Sequence, residues 1–351
     1  MSSARFPGRG TRTHPPNRFE PIHIEIEPEP GEPPAAARTL YLRDATRRVL
    51  AANASPDLPF RFSLNPYRGC EHGCPYCYAR PSHQHLGFDA GLDFETRIVV
   101  KDRAPALLRR ELAASSWQPQ VVALSGNTDC YQPIERRLGL TRRCLEVFAE
   151  FRNPVSVVTK STLVTRDADL LGALARFRAA QVSISITTLD AALARRLEPR
   201  APAPRRRLEA MAELARAGVP TAVMVAPVIP GLNDGEIPSI LREARAAGAR
   251  SAAWTLLRLP SPLDAVFEEW LSHHLPDQRR KVLGRLREAR RGKLSDSRFG
   301  ERMRGGGEYV QQVAALFSTC ARRNSLSRPL PPLDASSFRR PPRPGDQLRL
   351  L

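Results

Sequence analysis

Residues 59–77 read PFRFSLNPYRGCEHGCPYC, a short strand-like run followed at once by three cysteines, Cys70, Cys74 and Cys77. The C-x3-C-x2-C spacing lets one short loop wrap three thiolates around a single small object. Three sulfurs on a cluster of four irons leave the fourth iron open for a substrate or cofactor. Two alternatives remain: a zinc site, or three small buried apolar residues. The candidate fourth zinc ligands are His72, His83 and His85.

The first run is one of six that predict β-strands. The runs are 59–65, 121–127, 155–161, 182–188, 221–229 and 251–259. Stretches with leucine and alanine at helical spacing separate them, among them 104–115, 134–151 and 205–218. This alternation predicts an α/β protein built as a partial (β/α)6 TIM-like barrel, with an open doubly wound sheet as the alternative. In both folds the active site lies at the carboxyl ends of the strands, where the cysteines fall.

Composition divides the chain into five parts. Residues 1–36 are rich in proline and glutamate and bury too little apolar surface to fold alone, so they predict a disordered arm. An N-terminal extension covers 37–58, the catalytic core 59–290 and a capping segment 291–327. The proline-rich stretch 328–351 predicts a flexible tail.

The formal net charge of +18 allows binding to nucleic acid or another polyanion, although arginine excess also arises from the base composition of a gene. No uncharged apolar run is long enough to span a membrane, and the first residues lack a secretory apolar segment. We therefore expect a cytoplasmic protein. In that compartment Cys130, Cys144 and Cys320 stay reduced, so the six cysteines do not indicate a disulfide framework.

The motif CEHGCPYC, placed after the first strand of a six-unit chain, resembles the radical S-adenosylmethionine superfamily. Five further segments resemble its spore photoproduct lyase-like group, which is similar to DNA repair photolyases. These are SGNTDCYQPIE (125–135), VVTKSTLVTRDADLL (157–171), SISITTLD (183–190), LEPRAP (197–202) and APVIPGLND (226–234). The resemblance implies a [4Fe–4S] cluster on the three cysteines and S-adenosylmethionine on its open iron, with Tyr76 beside the adenine.

The strand ends supply candidate cofactor ligands. Lys160 is one of only four lysines among 54 basic residues, and its compact ammonium suits a carboxylate, unless it is simply solvated. Thr128 and Asp129 follow the second strand, where Asp129 is either a ligand or a helix or loop cap. Arg200 is a further candidate carboxylate ligand, with an ordinary surface arginine as the alternative.

The fourth and fifth strands add contacts of other kinds. Ser183 and Ser185 alternate with aliphatic residues, so their hydroxyls face either the barrel interior or the helices. An inward serine suits the ribose or the methionine carboxylate, and packing is the other explanation. The backbone of Val228 and Ile229 is a candidate contact for adenine.

The resemblance implies an enzyme that reductively cleaves S-adenosylmethionine to a 5'-deoxyadenosyl radical, with a flavodoxin or ferredoxin as electron donor. A nucleic-acid substrate and lyase or repair chemistry are the leading prediction. Modification of a peptide or small molecule, or a basic nucleic-acid-binding module with a structural cluster, are the alternatives. Where the lyase has a hydrogen-donating cysteine this chain has Gly126, so dimer repair is not carried over. The nearest thiol, Cys130, is either that donor or a small, partly buried loop residue.

Overall fold

The structure is a computed structural model that describes residues 8–20 and 38–342. In these ranges the strands are β1 (Leu40–Arg43), β2 (Leu50–Ala52), β3 (Phe62–Leu64), β4 (Tyr67–Arg68), β5 (Arg97–Val100), β6 (Val122–Leu124), β7 (Val155–Thr159), β8 (Ala180–Ser185), β9 (Thr221–Val228) and β10 (Ser251–Leu256). The helices are α1 (Asp93–Thr96), α2 (Ala104–Ala113), α3 (Glu135–Leu138), α4 (Leu140–Phe151), α5 (Ala168–Ala175), α6 (Ala191–Leu197), α7 (Pro204–Arg216), α8 (Ile237–Ala246), α9 (Leu263–His274), α10 (Pro276–Ala289), α11 (Glu301–Arg304) and α12 (Glu308–Arg323).

The main sheet confirms the six predicted strands. Its order is β10-β9-β8-β7-β6-β3-β2, and every pair from β3 to β10 is parallel. Each βα unit therefore places its strand beside the preceding one, as in a (β/α) barrel. A doubly wound sheet would instead reverse its strand order at a switch point. The described pairings leave β2 and β10 as the two edges, so the sheet is open.

Helices cover the outer face of this sheet. Along β7 and β8 every second residue, including Val155, Val157, Val182 and Ile184, is buried in the main core. Leu171 of α5 and residues of α4, α7 and α8 complete that core. The predicted helical stretch 134–151 is divided into α3 and α4, because Gly139 adopts a left-handed conformation with φ of 61°.

The sequence did not reveal four short strands, of which β1 and β2 lie in the N-terminal extension and β4 and β5 in the core. β2 pairs antiparallel with β3, and a second sheet has the order β1-β5-β4. These strands contain only two to four residues, too few to show an alternating pattern.

Parts of the predicted arm and tail make defined contacts. Gly10 and Thr11 are buried, and the Gly10 N–H donates to Glu95 Oε2 at 2.9 Å. In the tail, the Arg339 N–H donates to the Phe151 carbonyl at 2.9 Å. These polar contacts hold Gly10, Thr11 and Arg339 against the rest of the fold, and the disordered arm and flexible tail stay predictions. The remaining arm and tail residues, 1–7, 21–36 and 343–351, lie outside the described residues.

Candidate active site at the carboxyl ends of the parallel strands

The three cysteines lie on one loop, residues 69–77, which we call the cysteine loop. Cys70 and Cys74 are buried, Cys77 is partly exposed, and all three are free thiols. The loop lies beside the segment after β6, because Gln132 bonds both sides of Cys70. Its Nε2 donates to the Gly69 carbonyl at 3.1 Å, and its Oε1 accepts from the Glu71 N–H at 3.0 Å.

Two glycines allow the cysteine loop to fold tightly. Gly69 and Gly73 have φ values of 76° and 71°. A Cβ at Gly69 would lie 2.9 Å from the Phe94 carbonyl oxygen, and one at Gly73 would lie 2.8 Å from Glu95 Oε2. Only glycine satisfies both the backbone conformation and the close approach at these positions.

The spacing of the sulfurs bears on which metal group fits. Among the described residues, three potential ligand atoms within 4.8 Å of one another occur only in His14, Asp89 and Asp93. At least one pair of the three cysteine sulfurs therefore lies more than 4.8 Å apart, whereas tetrahedral Zn–S bonds of about 2.3 Å place two sulfurs roughly 3.8 Å apart. Three thiolates that bind three different irons of a cluster are more widely separated. The cysteine loop thus fits an iron–sulfur cluster better than mononuclear zinc.

The histidines considered as a fourth zinc ligand have other neighbours. His72 Nδ1 lies 3.4 Å from Asp129 Oδ2. His83 packs against Phe94 with ring centroids 5.5 Å apart, and His85 stacks on Phe19 at 4.5 Å.

Burial determines the protonation of the thiols. It raises the pKa of Cys74 to about 12, although the nearby Lys160 acts in the opposite direction. It also raises the pKa of Cys70 well above its usual value. Metal binding requires thiolates, so loading this site releases protons and supplies the positive charge that stabilises the sulfurs.

A buried polar cluster lies next to the cysteine loop, and Glu198 is at its centre. The Tyr76 hydroxyl donates to Glu198 Oε1, as does Thr187 Oγ1 at 2.7 Å, and Arg207 forms an ion pair with Oε2. Burial alone would raise the pKa of Glu198, but the charges of Arg207 and Lys160 lower it to about 2. Sequence reasoning missed Glu198 and Arg207, although Glu198 lies two residues before the predicted Arg200.

Lys160 lies at the open side of this cluster. Its Nζ is 5.8 Å from the centroid of the Tyr76 ring, and the side chain is partly exposed. Burial opposes its charge, but Glu198 and Cys74 raise the pKa of Lys160 above the usual value. The structure thus brings Lys160 and Tyr76 together beside Cys74, with a permanent positive charge facing the cysteine loop.

Asp129 connects the loops after β6 and β7. Its Oδ1 accepts from Thr159 Oγ1 at 2.7 Å, and its Oδ2 accepts from the Lys160 N–H at 2.8 Å. Burial alone would raise the pKa of Asp129, but His72 and these donors lower it to about 2. The neighbouring Thr128 is also bound internally, since its hydroxyl donates to the Tyr67 carbonyl at 2.5 Å. These contacts match the loop-cap alternative for Asp129.

The other predicted cofactor residues line β8 and β9. Val182, Ile184 and Ile186 belong to the helix-facing core, which places Ser183 and Ser185 on the opposite, interior face.

The backbone of β9 is largely occupied at its end. The Val228 carbonyl accepts from the Leu257 N–H at 2.9 Å, and the Ile229 N–H donates to Asn233 Oδ1 at 2.7 Å.

Arg200 does not join the cluster around Lys160. Its Nη2 lies 3.1 Å from Glu71 Oε1, and its N–H donates to the His72 carbonyl at 3.4 Å. The contacts place Arg200 against the backbone and side chains of the cysteine loop.

Cys130 lies in the main core beneath the loop after β6 and is fully buried. Its N–H donates to Ser125 Oγ at 2.8 Å, and its carbonyl accepts from Thr141 Oγ1 at 2.6 Å. Burial raises the pKa of its thiol well above the usual value.

Tyr78 and Arg258 form a pair at the site that sequence reasoning missed. Tyr78 follows Cys77 directly, is 49% exposed, and donates to the Gly126 carbonyl at 3.0 Å. The Arg258 guanidinium lies 5.6 Å from the centroid of the Tyr78 ring. Within the described ranges no acidic side chain forms an ion pair with Arg258, whose pKa is lowered by burial and by Arg302.

Three cysteines thus share one loop at the carboxyl ends of six consecutive parallel strands of an α/β protein, an arrangement that suits an iron–sulfur cluster. The family model described as Radical SAM superfamily matches residues 64–244. An uncharacterized protein of Mycobacterium tuberculosis is 38% identical over 278 residues, which is 78% of each chain. The chain therefore belongs to the radical SAM superfamily, and it is an enzyme of a family whose chemistry uses S-adenosylmethionine and an iron–sulfur cluster.

Other relatives are more distant. An uncharacterized protein of Methanocaldococcus jannaschii is 30% identical over 176 residues, which covers 50% of this chain and 63% of that protein. A mutant of spore photoproduct lyase has a TM-score of 0.61 at 18% identity, with 85% of each chain covered. Spore photoproduct lyase complexed with dinucleoside spore photoproduct has a TM-score of 0.59 at 17% identity, again over 85% of each chain. The chain shares the fold of these lyases.

Throughout the described ranges, the helices are too short or too polar to cross a bilayer.

Proposed function

We propose that Cys70, Cys74 and Cys77 hold a [4Fe–4S] cluster and that the enzyme cleaves S-adenosylmethionine there to act on nucleic acid. A reduced cluster held there would supply the one electron that cleaves the sulfonium of S-adenosylmethionine into methionine and a 5'-deoxyadenosyl radical. The observation that carries this proposal is the set of three free thiols on one loop at the carboxyl ends of the parallel strands. At least one pair of their sulfurs lies more than 4.8 Å apart.

The residues around the cysteine loop bind and orient the cofactor. The partly exposed ammonium of Lys160 attracts the carboxylate of S-adenosylmethionine, while Glu198 keeps that ammonium charged. Ser183 and Ser185 present hydroxyls on the interior face of β8 for the ribose or the carboxylate. Tyr76 provides an aromatic wall whose hydroxyl is fixed by Glu198.

A nucleic-acid substrate is supported by charge and by the pair at the mouth of the site. A half-exposed tyrosine is a surface on which an extruded base stacks, and the arginine over its ring suits a phosphate. Tyr78 and Arg258 provide these two groups beside Cys77, on a chain with a net charge of +18. One fold relative is described as complexed with a dinucleoside spore photoproduct.

The proposed enzyme consists of a catalytic core and a segment that follows it and contacts it. We assign residues 59–290 to the catalytic core and 291–327 to a capping segment. Tyr309 of that segment donates its hydroxyl to Asp234 and accepts from the Gly231 N–H at 2.9 Å, which holds the loop after β9. A cytoplasmic location, with a flavodoxin or ferredoxin as electron donor, fits a site that needs reduced thiols.

The first test is anaerobic reconstitution followed by iron and sulfide analysis. We expect four irons per chain in the wild type, as a [4Fe–4S] cluster requires. Changing any one of Cys70, Cys74 or Cys77 to alanine should remove most of the iron, whereas the matched Cys144→Ala variant in α4 should retain it. With dithionite and S-adenosylmethionine the wild type should release 5'-deoxyadenosine. One bound zinc and no iron would refute the cluster.

The second test concerns the substrate. Single-stranded and damaged duplex oligonucleotides are offered to the reduced enzyme, and products are analysed by mass. Arg258→Gln should weaken oligonucleotide binding and lower the slope of log affinity against log salt by about one, the effect of losing one phosphate contact. Arg216→Gln is the control. It changes an exposed arginine at the end of α7, near the amino ends of the strands, and should leave the slope unchanged. Cofactor cleavage without any change in nucleic acid would favour a peptide or small-molecule substrate.

A further inference from the structure

The chain between Arg9 and Thr11 touches the cysteine loop directly. We propose that these three residues, the N-terminal clamp, are positioning residues that fix the cysteine loop in the conformation that binds the cluster. The clamp comes from a part of the chain about 60 residues before the first cysteine. The part of this inference that concerns iron rests on the proposed function, whereas the part that concerns the loop does not.

The contact between clamp and loop is made by two glycine backbones. A Cβ at Gly10 would lie 1.4 Å from the carbonyl oxygen of Gly73, which is far inside any allowed contact. The Cα of Gly10 therefore packs directly against that carbonyl oxygen. A Cβ built on Gly73 would in turn lie 3.2 Å from the backbone nitrogen of Gly10. No side chain fits between the two segments.

A buried ion pair connects the clamp to the cysteine loop a second time. Arg80 and Glu95 are fully buried, and Arg80 Nη2 lies 2.5 Å from Glu95 Oε1. Glu95 binds the clamp, because its Oε2 accepts from the Gly10 N–H at 2.9 Å and its Oε1 accepts from Thr11 Oγ1 at 3.1 Å. Arg80 binds the loop, because its Nε donates to the Cys74 carbonyl at 2.8 Å. One pair of side chains thus holds both segments.

Arg9 completes the clamp from the outside. Its Nη1 donates to the Glu95 carbonyl at 2.9 Å, and its Nη2 donates to Thr39 Oγ1 at 2.7 Å. The clamp is therefore held by hydrogen bonds to α1 and to the start of the extension. This accounts for its defined position despite a composition typical of disordered chains.

The expected consequence is on cluster retention. Groups that support metal ligands typically change metal affinity by about 10–100-fold when they are altered. Gly10 of the clamp packs against Gly73 and Pro75, the two chain neighbours of Cys74, and solvent exposure and hydrogen bonding near the sulfurs tune the reduction potential of a cluster. Loosening the clamp should therefore speed iron loss, shift the potential and expose the Cys74 thiol, without removing any ligand.

The decisive variant is Gly10→Ala in the full-length protein. Its methyl group cannot coexist with the Gly73 carbonyl, so the clamp must move away. We expect iron loss to a chelator to become about tenfold faster or more, in line with lost ligand support. Gly284→Ala in α10 is the matched control, because its methyl group meets nothing within 4 Å. It should lose iron at the wild-type rate.

A second readout needs no cluster. In iron-free protein, alkylation of each cysteine by iodoacetamide is followed by peptide mass analysis, with the core residue Cys144 as internal reference. Gly10→Ala should raise the alkylation rate of Cys74 severalfold and leave that of Cys144 unchanged. If wild-type protein never takes up iron while Cys74 alkylation rises in the variant, the clamp stands and the cluster proposal fails.

If Gly10→Ala fails to fold, Thr11→Val tests whether the clamp positions the cysteine loop. It keeps the volume of the side chain and removes only the hydroxyl that donates to Glu95. Iron loss, the midpoint potential of the cluster and Cys74 alkylation should all shift in the direction expected for Gly10→Ala, and Thr11→Ser should restore them. If Thr11→Val and any folded Gly10→Ala both match Gly284→Ala in these measurements, the clamp has no positioning role and the inference is wrong.

Discussion

Replacing Glu198 by glutamine should destabilise the enzyme more than most single changes, because it removes the charge that balances Arg207. Glu198 and Arg207 are each about 1% exposed, so neither can be compensated by water. Removing one partner of a buried ion pair costs about 3–5 kcal/mol. Burial alone would raise the pKa of Glu198, and the charges of Arg207 and Lys160 lower it from its usual 4.5 to about 2, which agrees in direction with a carboxylate stabilised by its partners.

The assay is urea unfolding of iron-free protein followed by circular dichroism. We expect Glu198→Gln to lower the free energy of unfolding at neutral pH by about 3 kcal/mol. The control is Glu268→Gln, whose partner Arg279 is exposed, with an expected cost below about 1 kcal/mol. The double change Glu198→Leu with Arg207→Met should recover much of the loss, because no unpaired buried charge remains.

The pH dependence of the free energy of unfolding tests the sign of the Glu198 contribution. The pKa of Glu198 is lower in the folded than in the unfolded protein, so its contribution is complete above about pH 4.5 and is lost as the pH falls toward 2. The difference in unfolding free energy between wild type and Glu198→Gln should therefore shrink over that range. A Glu198→Gln cost equal to that of the Glu268→Gln control at neutral pH would refute the reasoning.

Two further predictions concern the cofactor and the hydrogen donor. Lys160→Met should weaken S-adenosylmethionine binding by about 1.5–3 kcal/mol, the value of a hydrogen bond to a charged group, measured by calorimetry on protein with unchanged iron content. Lys293 is exposed, so Lys293→Met should bind S-adenosylmethionine with the wild-type affinity. Equal affinities in the two variants would show that Lys160 is a solvated lysine and not a cofactor ligand. Cys130→Ala should leave 5'-deoxyadenosine release intact; if Cys130 is the hydrogen donor, mass analysis should show stalled turnover or adducts, whereas normal product would remove that role.

The sequence by itself determined the six parallel strands and the cysteine loop. Each strand is a local run bounded by polar residues, and three cysteines within eight positions must share a loop whatever surrounds it. Lys160 could also be placed, because it ends a strand whose position in the sheet follows from the alternation of strands and helices. These features depend on neighbours in sequence, so their pattern is visible in the chain.

Only the tertiary structure decided which side chains meet around that loop. Tyr76 contacts Glu198 across 122 positions, and Gly10 meets Glu95 across 85, distances over which sequence periodicity carries no information. Residues 9–11 show the same limit, because the composition around them predicts disorder while they form hydrogen bonds to Glu95 of a buried ion pair. Such contacts depend on where the folded backbone leaves an unpaired donor or acceptor, and that position exists only once the strands are assembled.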